Sequence, residues 1–259
     1  MNLSVVIITF NEERNIGRCL RSLPSGCDVI VIDSCSSDRT VEVCSGYGAR
    51  VENRVFKNYS DQKNYGLSLA KCDWVLSLDA DEVLSEGCRF ALGRITHSEV
   101  DYSAYRLQRQ LVFMGRKMKW GRTTDFPLRL FRSGSGRFVG SIHEKYVIDA
   151  GQVCPRPVKG ILHYSYSDLT DYFNRFNRYT SLIAESKQAK PMKLDFFRHL
   201  CRPWYEFLQR YFFCLGALDG YPGYVYALSS SLYAFVKYSK VYEKGLPFEK
   251  KGCVAPDIK

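Results

Sequence analysis

Neither a GxGxxG turn nor a GxxxxGKS/T loop occurs in the 259 residues, which removes the main support for a dinucleotide oxidoreductase or a P-loop phosphotransferase. No CxxC pair occurs among the ten cysteines, and Cys19, Cys27, Cys35 and Cys44 stand eight or nine positions apart on what read as different elements. A zinc site is disfavoured, and reduced thiols packed as small hydrophobes are expected. Met1 leads directly into the apolar run Leu3 to Ile8 without the basic segment and cleavage site of a secretory leader, so a cytoplasmic chain is expected. A long apolar run is also lacking. The stretch from Gly220 to Val236 carries no charge, but its 17 positions include Gly220, Pro222, Gly223 and three serines, short and polar against the roughly 20 apolar residues of a spanning helix. Acids are in deficit, 27 against 37 Lys and Arg, for a net charge of +10.

What is present is globular in proportion: 46% apolar and 25% charged residues exclude disorder and collagen-like repetition. The excess of cations together with 14% aromatics points to phosphate-bearing partners such as nucleic acid, anionic lipid or phosphorylated small molecules.

The first hundred residues alternate short apolar runs with amphipathic stretches. Leu3 to Thr9, Val29 to Ile32, Arg50 to Val55 and Trp74 to Leu78 read as strands. Between them lie helical segments from Glu12 with Asn11 as cap, from Ser36-Ser37-Asp38 to about Ser45, and from Ser60 to Ala70. Such alternation requires a mostly parallel sheet covered on both faces, with ligands at the carboxyl ends of the strands. Thr9, Asn11 and Glu12, then Asp33 and Ser34, then Asp79-Ala80-Asp81-Glu82 follow three of those ends. Each alone could be a helix cap; together they mark one rim as a site.

From Tyr102 to Arg137 nine cations meet one acid, Asp125, and Tyr105 to Arg109 and Leu128 to Arg132 alternate at period two as strands do. Val158 to Tyr166 reads as another strand. Beyond Asp168 the pattern is helical, over Leu169 to about Gln188, Leu194 to Gly216 and Tyr221 to Lys244. This divides the chain into residues 1–166 and a helical, aromatic and basic region, 167–259. That region suits interfacial membrane attachment, or alternatively a buried helical subdomain or dimer interface.

Asp79 and Asp81 can present oxygens to a hard divalent cation, Mg2+ or Mn2+, which completes its shell with water and substrate phosphates. Asp33, at a neighbouring strand end, can accept from a base N–H or ribose hydroxyls. With these residues in view, Val5 to Glu13, Val31 to Thr40 and Leu78 to Glu82 resemble the three nucleotide-binding motifs of the family 2 inverting glycosyltransferases. Gln62-Lys63-Asn64, Arg129 to Arg132, Ile142-His143-Glu144, His163 to Tyr166 and Leu218-Asp219-Gly220 resemble the branch with lipopolysaccharide core β-1,4-glucosyltransferases. The resemblance departs at Cys35, where a glycine is usual, which puts the tightness of that loop in question.

The resemblance implies an α/β GT-A fold, a mixed and mainly parallel sheet flanked by helices, with a C-terminal helical extension. It implies Thr9, Asn11 and Glu12 near the base, Asp33 with Ser34 at uracil or ribose, and Lys63 near the nucleotide. Asp79 then lies by the ribose or a metal-bound water and Asp81 ligates the metal. Glu144 is the preferred general base, with Asp125 the alternative, and His143 would orient the base or touch the acceptor. His163 is either a further metal or diphosphate contact or a packed core histidine. Arg129 and Arg132 are candidates for phosphate, although three apart on a strand they face opposite ways.

The activity so implied is metal-dependent transfer of a hexose, glucose first, from a UDP-sugar to a lipopolysaccharide-core or lipid-linked acceptor. The enzyme would sit peripherally on the inner face of the cytoplasmic membrane, without nucleic acid as partner. A sugar nucleotidyltransferase would need a Gly-rich basic loop where Thr9 to Glu13 is acidic. A basic RNA-binding module would make no use of Asp81.

Overall fold

The computed structural model describes residues 1–98, 102–140, 144–186 and 197–244, the side chains of 197 and 198 apart. They form two units: Met1–Lys119 with Thr123–Ser165, and Trp120–Arg122 with the chain from Tyr166 onward.

The first unit is built on strands β1 (Leu3–Thr9), β2 (Asp28–Asp33), β3 (Arg50–Asn53) and β4 (Trp74–Asp79). β1 pairs in parallel with both β2 and β4, and β2 with β3. These strands are near-continuous apolar runs because both faces are covered. Val5, Ile7, Leu76 and Leu78 pack with Ile16, Cys19, Cys88 and Leu92 in one layer, while Val6, Ile30, Ile32 and Val75 form the other. The covering helices are α1 (Ile16–Arg21), α2 (Thr40–Gly46), α3 (Tyr59–Ser68) and α4 (Glu86–His97). At Gly66 in α3 an added Cβ would lie 2.3 Å from a Val6 methyl, so only glycine lets that helix rest on β1.

The rest of the unit runs differently. After β5 (Glu82–Leu84) come β6 (Tyr102–Phe113), β7 (Arg116–Lys117), β8 (Thr124–Asp125), β9 (Leu128–Arg132), β10 (Gly136–Val139), β11 (Lys145–Ile148) and β12 (Gln152–His163). The main sheet has the order β3-β2-β1-β4-β9-β6-β12-β5, with β7 and β8 on β6, and β10 and β11 form a separate hairpin. β9 lies antiparallel to both β4 and β6, so the parallel half ends at a seam between β4 and β9.

The second unit is helical, with α5 (Leu169–Ser186), α6 (Arg202–Leu208) and α7 (Gly220–Lys244). The expected architecture of a mixed sheet with flanking helices and a C-terminal helical region holds. The single helix expected over Leu194 to Gly216 does not, as far as it is described. Wide π-turns, Phe197–Cys201 and Gln209–Phe213, flank α6. Leu215 then turns left-handed at φ +58° and ends the run before a 3-10 turn, Gly216–Asp219. Among the described residues no helix is long and apolar enough to cross a membrane.

Candidate active site at the carboxyl rim

The register sets Thr9 opposite Asp33 and Ile8 opposite Asp79, so three strand ends meet at one rim. Asp33 is fully buried and accepts from the Ser36 amide at 2.7 Å and the Ser36 hydroxyl at 2.5 Å, folding the following loop back on itself. The buried Thr9 hydroxyl has no hydrogen-bond partner among the described residues. Cys35 adopts φ +65°, the left-handed region that favours glycine. The departure noted in the sequence therefore falls where a side chain is sterically disfavoured, and the loop keeps its turn all the same.

Asn11 does not cap the helix after β1. It is itself left-handed, at φ +53°, and its side-chain oxygen accepts from the Ser37 amide at 2.8 Å, tying the first loop to the second. The helix begins only at Ile16. Glu12 serves locally too, its carboxylate accepting from the Asn15 amide nitrogen at 2.8 Å.

Three consecutive side chains of α3 join the rim together. Gln62 donates to the Ser34 hydroxyl at 3.0 Å. Buried Lys63 reaches Asp79 Oδ1 at 3.0 Å and Glu144 Oε1 at 2.8 Å. The Asn64 side-chain amide donates to the Phe138 carbonyl at 2.9 Å and accepts from the Phe138 backbone N–H at 2.8 Å, clamping β10. Because successive helical side chains diverge by about 100°, one turn of α3 touches the residue after β2, the end of β4 and the β10–β11 hairpin, and Glu144, directly before β11 at the turn end of that hairpin, lies beside Lys63.

Across the seam, Arg129 of β9 donates to Asp79 Oδ2 at 2.5 Å and to Glu82 Oε1 at 2.7 Å. Arg109 of β6 reaches Glu82 at 2.9 Å and grips Asp125 with two nitrogens, at 2.9 and 2.6 Å. Fully buried Glu82 also accepts from the Asp79 amide at 3.0 Å. Burial alone would raise the Asp79 carboxyl, but the Arg129 guanidinium and the Lys63 ammonium outweigh it and hold the group well below the usual carboxylate range.

Asp81 lies outside this lattice. Its Oδ2 is 3.3 Å from His163 Nε2, brought there because β12 pairs antiparallel with β5 and sets His163 opposite Glu82. Burial would lower the His163 imidazole; its hydrogen bond and charge contact with Asp81 overcome that and raise it. The anticipated two-acid clamp is thus divided: Asp79 already holds two cations, and Asp81 faces a histidine. The Asp81 carboxylate suits Mg2+ or Mn2+, hard ions that take few protein ligands and leave positions for water and phosphate oxygens, while the imidazole is a softer ligand than such ions ordinarily take. Among the described residues no cluster of three or more His, Cys, Asp or Glu is grouped for a metal, so a cation here would depend on its ligand's oxygens.

The structure therefore gathers Lys63, Asp79, Arg129 and Glu144 in one lattice, adds Asp125 through Arg109, pairs Asp81 with His163, and sets Thr9, Asp33 and Ser34 beside them on the neighbouring strands. It does not gather Arg132, which is paired with Trp74 at the far end of β4 and lies 4.5 Å over that ring. His143 lies outside the described residues. Glu82, placed at the rim by the sequence, was given no role there, and Arg109 was missed as a site residue; an acid after a strand and a cation in an alternating strand do not mark partners across a sheet.

Residues 4–119 match the model of glycosyl transferase family 2. A lipopolysaccharide core biosynthesis glycosyltransferase, LpsC, of Rhizobium meliloti is 26% identical over 93% of this chain and 92% of its own length. An uncharacterized glycosyltransferase of Rickettsia typhi is 28% identical over 98% and 91%. Among solved structures, TarS residues 1–349 of S. aureus align over 95% of this chain and 89% of theirs, at 14% identity and a TM-score of 0.44.

Proposed function

We propose that this chain, whose residues 4–119 match glycosyl transferase family 2, is a glycosyltransferase that moves a hexose, in the first instance glucose, from a UDP-sugar to a lipopolysaccharide-core or lipid-linked acceptor with inversion. The Asp81–His163 pair beside the Asp79 lattice, at the carboxyl rim of the parallel strands, carries this reading. In it, residues 1–166 bind the donor and perform the chemistry, and Asp33, Ser34 and Thr9 meet the uridine. The name borne by the Rhizobium relative supports the acceptor class.

Asp81 and His163 would hold the divalent ion, whose charge would offset that of the departing diphosphate. The chain's own residues do the rest. Glu144 takes the proton of the acceptor hydroxyl as that oxygen bonds to the anomeric carbon, and the bond from that carbon to the diphosphate breaks on the opposite face, its electron pair leaving with UDP. Lys63 holds Glu144 and Asp79 in fixed relation, so the base does not wander from the rim.

UDP release from a panel of UDP-hexoses, with Mn2+ or Mg2+ and with core oligosaccharide as acceptor, tests the proposal. Asp81→Ala should lower the rate about 10²–10³-fold; metal-independent release, unchanged in that variant, would overturn it.

The second unit supports a membrane-proximal acceptor. Trp204, Phe213 and Tyr221 are 72%, 78% and 69% exposed, interleaved with Arg202 and Arg210, the composition of a surface that settles among anionic headgroups. Co-sedimentation with anionic vesicles should fall in a Trp204→Ser, Phe213→Ser variant; equal sedimentation refutes peripheral attachment at this face.

A further inference from the structure

The helical unit contains a cavity of about 330 Å³, within the range of small-molecule sites. Each element around it turns one stripe inward. α7 contributes Tyr226, Ser230, Tyr233 and Lys237, at spacings that share a helix face, and α6 with the turn after it contributes Arg202, Glu206 and Arg210, each four apart. Tyr166 and Tyr172 close the wall.

A contact between helices is ordinarily filled by aliphatic side chains. Here one small apolar residue, Ala234, accompanies three cations, one acid and four tyrosines. The acid does not balance the cations. Glu206 takes Arg210 at 2.7 Å and Arg202 only at 3.5 Å, and Lys237 pairs with no carboxylate among the described residues, its ammonium lying 4.4 Å from the Tyr238 ring. The lining is thus left with positive charge at Arg202 and Lys237. Burial pushes the Tyr166 phenol up to about 12 and raises those of Tyr172, Tyr226 and Tyr233, so the hydroxyls around the cavity keep their protons and serve as neutral donors.

We propose that this cavity is a second ligand site, specific for a phosphorylated saccharide. The cations meet the phosphate through charge-assisted hydrogen bonds, while tyrosine rings offer flat apolar faces to sugar C–H groups and their hydroxyls meet the sugar's oxygens. A free phosphate would use only the cationic corner and leave the aromatic wall idle. The site owes nothing to the rim chemistry and stands whether or not the proposed transfer is correct; phosphorylated sugars of a glycolipid core and free sugar phosphates share the chemistry it selects.

Isothermal titration of the full chain, with excess UDP and Mg2+ present to occupy the rim, tests this with glucose 6-phosphate, glucose, inorganic phosphate and a dephosphorylated or intact lipopolysaccharide core oligosaccharide as probes. Saturable binding of glucose 6-phosphate, tighter than glucose or phosphate, is expected, with the intact core oligosaccharide tighter still if the natural source is the glycolipid and no tighter if it is a free sugar phosphate. Arg202 is exposed and Lys237 half-buried, so the Arg202→Gln, Lys237→Gln variant is first shown to be folded by its melting curve, and its affinity should fall about tenfold or more. Arg202→Lys with Lys237→Arg keeps the charges and should recover most of it, and Asp81→Ala should leave it unchanged. No saturable binding, equal affinity for phosphate and glucose 6-phosphate, full affinity in the glutamine variant, or loss in Asp81→Ala would each overturn the proposal, the last by returning the ligand to the rim. Failure of UDP release in the transfer assay leaves these titrations unaffected.

Discussion

The two halves of the sheet contribute opposite charges to one site. The parallel half, β1 to β4, ends in Asp33 and Asp79, while the mixed half, in which β9 is antiparallel to β6 and β6 parallel to β12, supplies Arg129 from β9 and Arg109 from β6. Carboxylates at the ends of β2 and β4, on either side of β1, would repel if left alone; the seam between β4 and β9 brings guanidinium groups to the place where those acids collect. The division is not complete: Lys63, from a helix of the parallel half, faces acids on both sides, and Glu82, Asp125 and Glu144 are acids outside that half. The rim is therefore held near neutrality by its own lattice, with Asp81 and His163 outside it, as the proposed diphosphate donor would need.

Removing the cation that β9 brings across the seam should have the largest effect. Arg129→Leu leaves Asp79 with Lys63 and buried Glu82 with Arg109 and should destabilise the fold by about 1.5–3 kcal/mol, read by chemical denaturation. Arg132→Leu, on the same strand but stacked on Trp74, should cost about 0.5–1 kcal/mol. Equal losses would show that the seam lattice is ordinary strand packing.

The next contrast separates the two candidate bases. Glu144→Gln should reduce transfer about 10²–10⁴-fold with UDP affinity nearly unchanged in titration. Asp125→Asn should do much less, because its carboxylate is half-exposed and gripped by both arms of Arg109. Substantial transfer by Glu144→Gln, lost instead in Asp125→Asn, would reassign the base.

The smallest effect concerns acid. Asp79 is depressed in the folded state by Arg129 and Lys63, so the stability it contributes is present above its unfolded value of about 3.9 and is lost as pH falls through the lower folded value. Melting temperatures measured from pH 6 to pH 3 should drop more steeply in the parent than in Asp79→Asn; parallel slopes would mean that the pairing does not bias folding.

The parallel half was legible because its strands are buried on both faces and read as unbroken apolar runs, and because polar residues after such strands have one rim to occupy. The loop tied by Asn11 and Ser37 was misread as a helix cap, since asparagine tolerates both the capping and the left-handed conformation and local sequence does not choose between them. Alternation at period two placed Arg129 and Arg132 on opposite faces of a strand, but the strand's direction and neighbour decided that Arg129 meets Asp79 while Arg132 meets Trp74. Arg109 was overlooked, and Glu82 left without a role, for the same reason: a buried carboxylate announces itself only through the cation that tertiary pairing sets beside it.

By itself the sequence determined the periodicities, the acids after the strands and the excess of cations, because these are properties of neighbours along the chain. Which cation neutralises which acid, that Asp81 rather than Asp79 faces His163, and that the helical unit encloses a charged, tyrosine-walled cavity were decided by the tertiary structure. Electrostatic partnership depends on distance in space, and the partners here lie up to 82 positions apart, as Asp81 and His163 do.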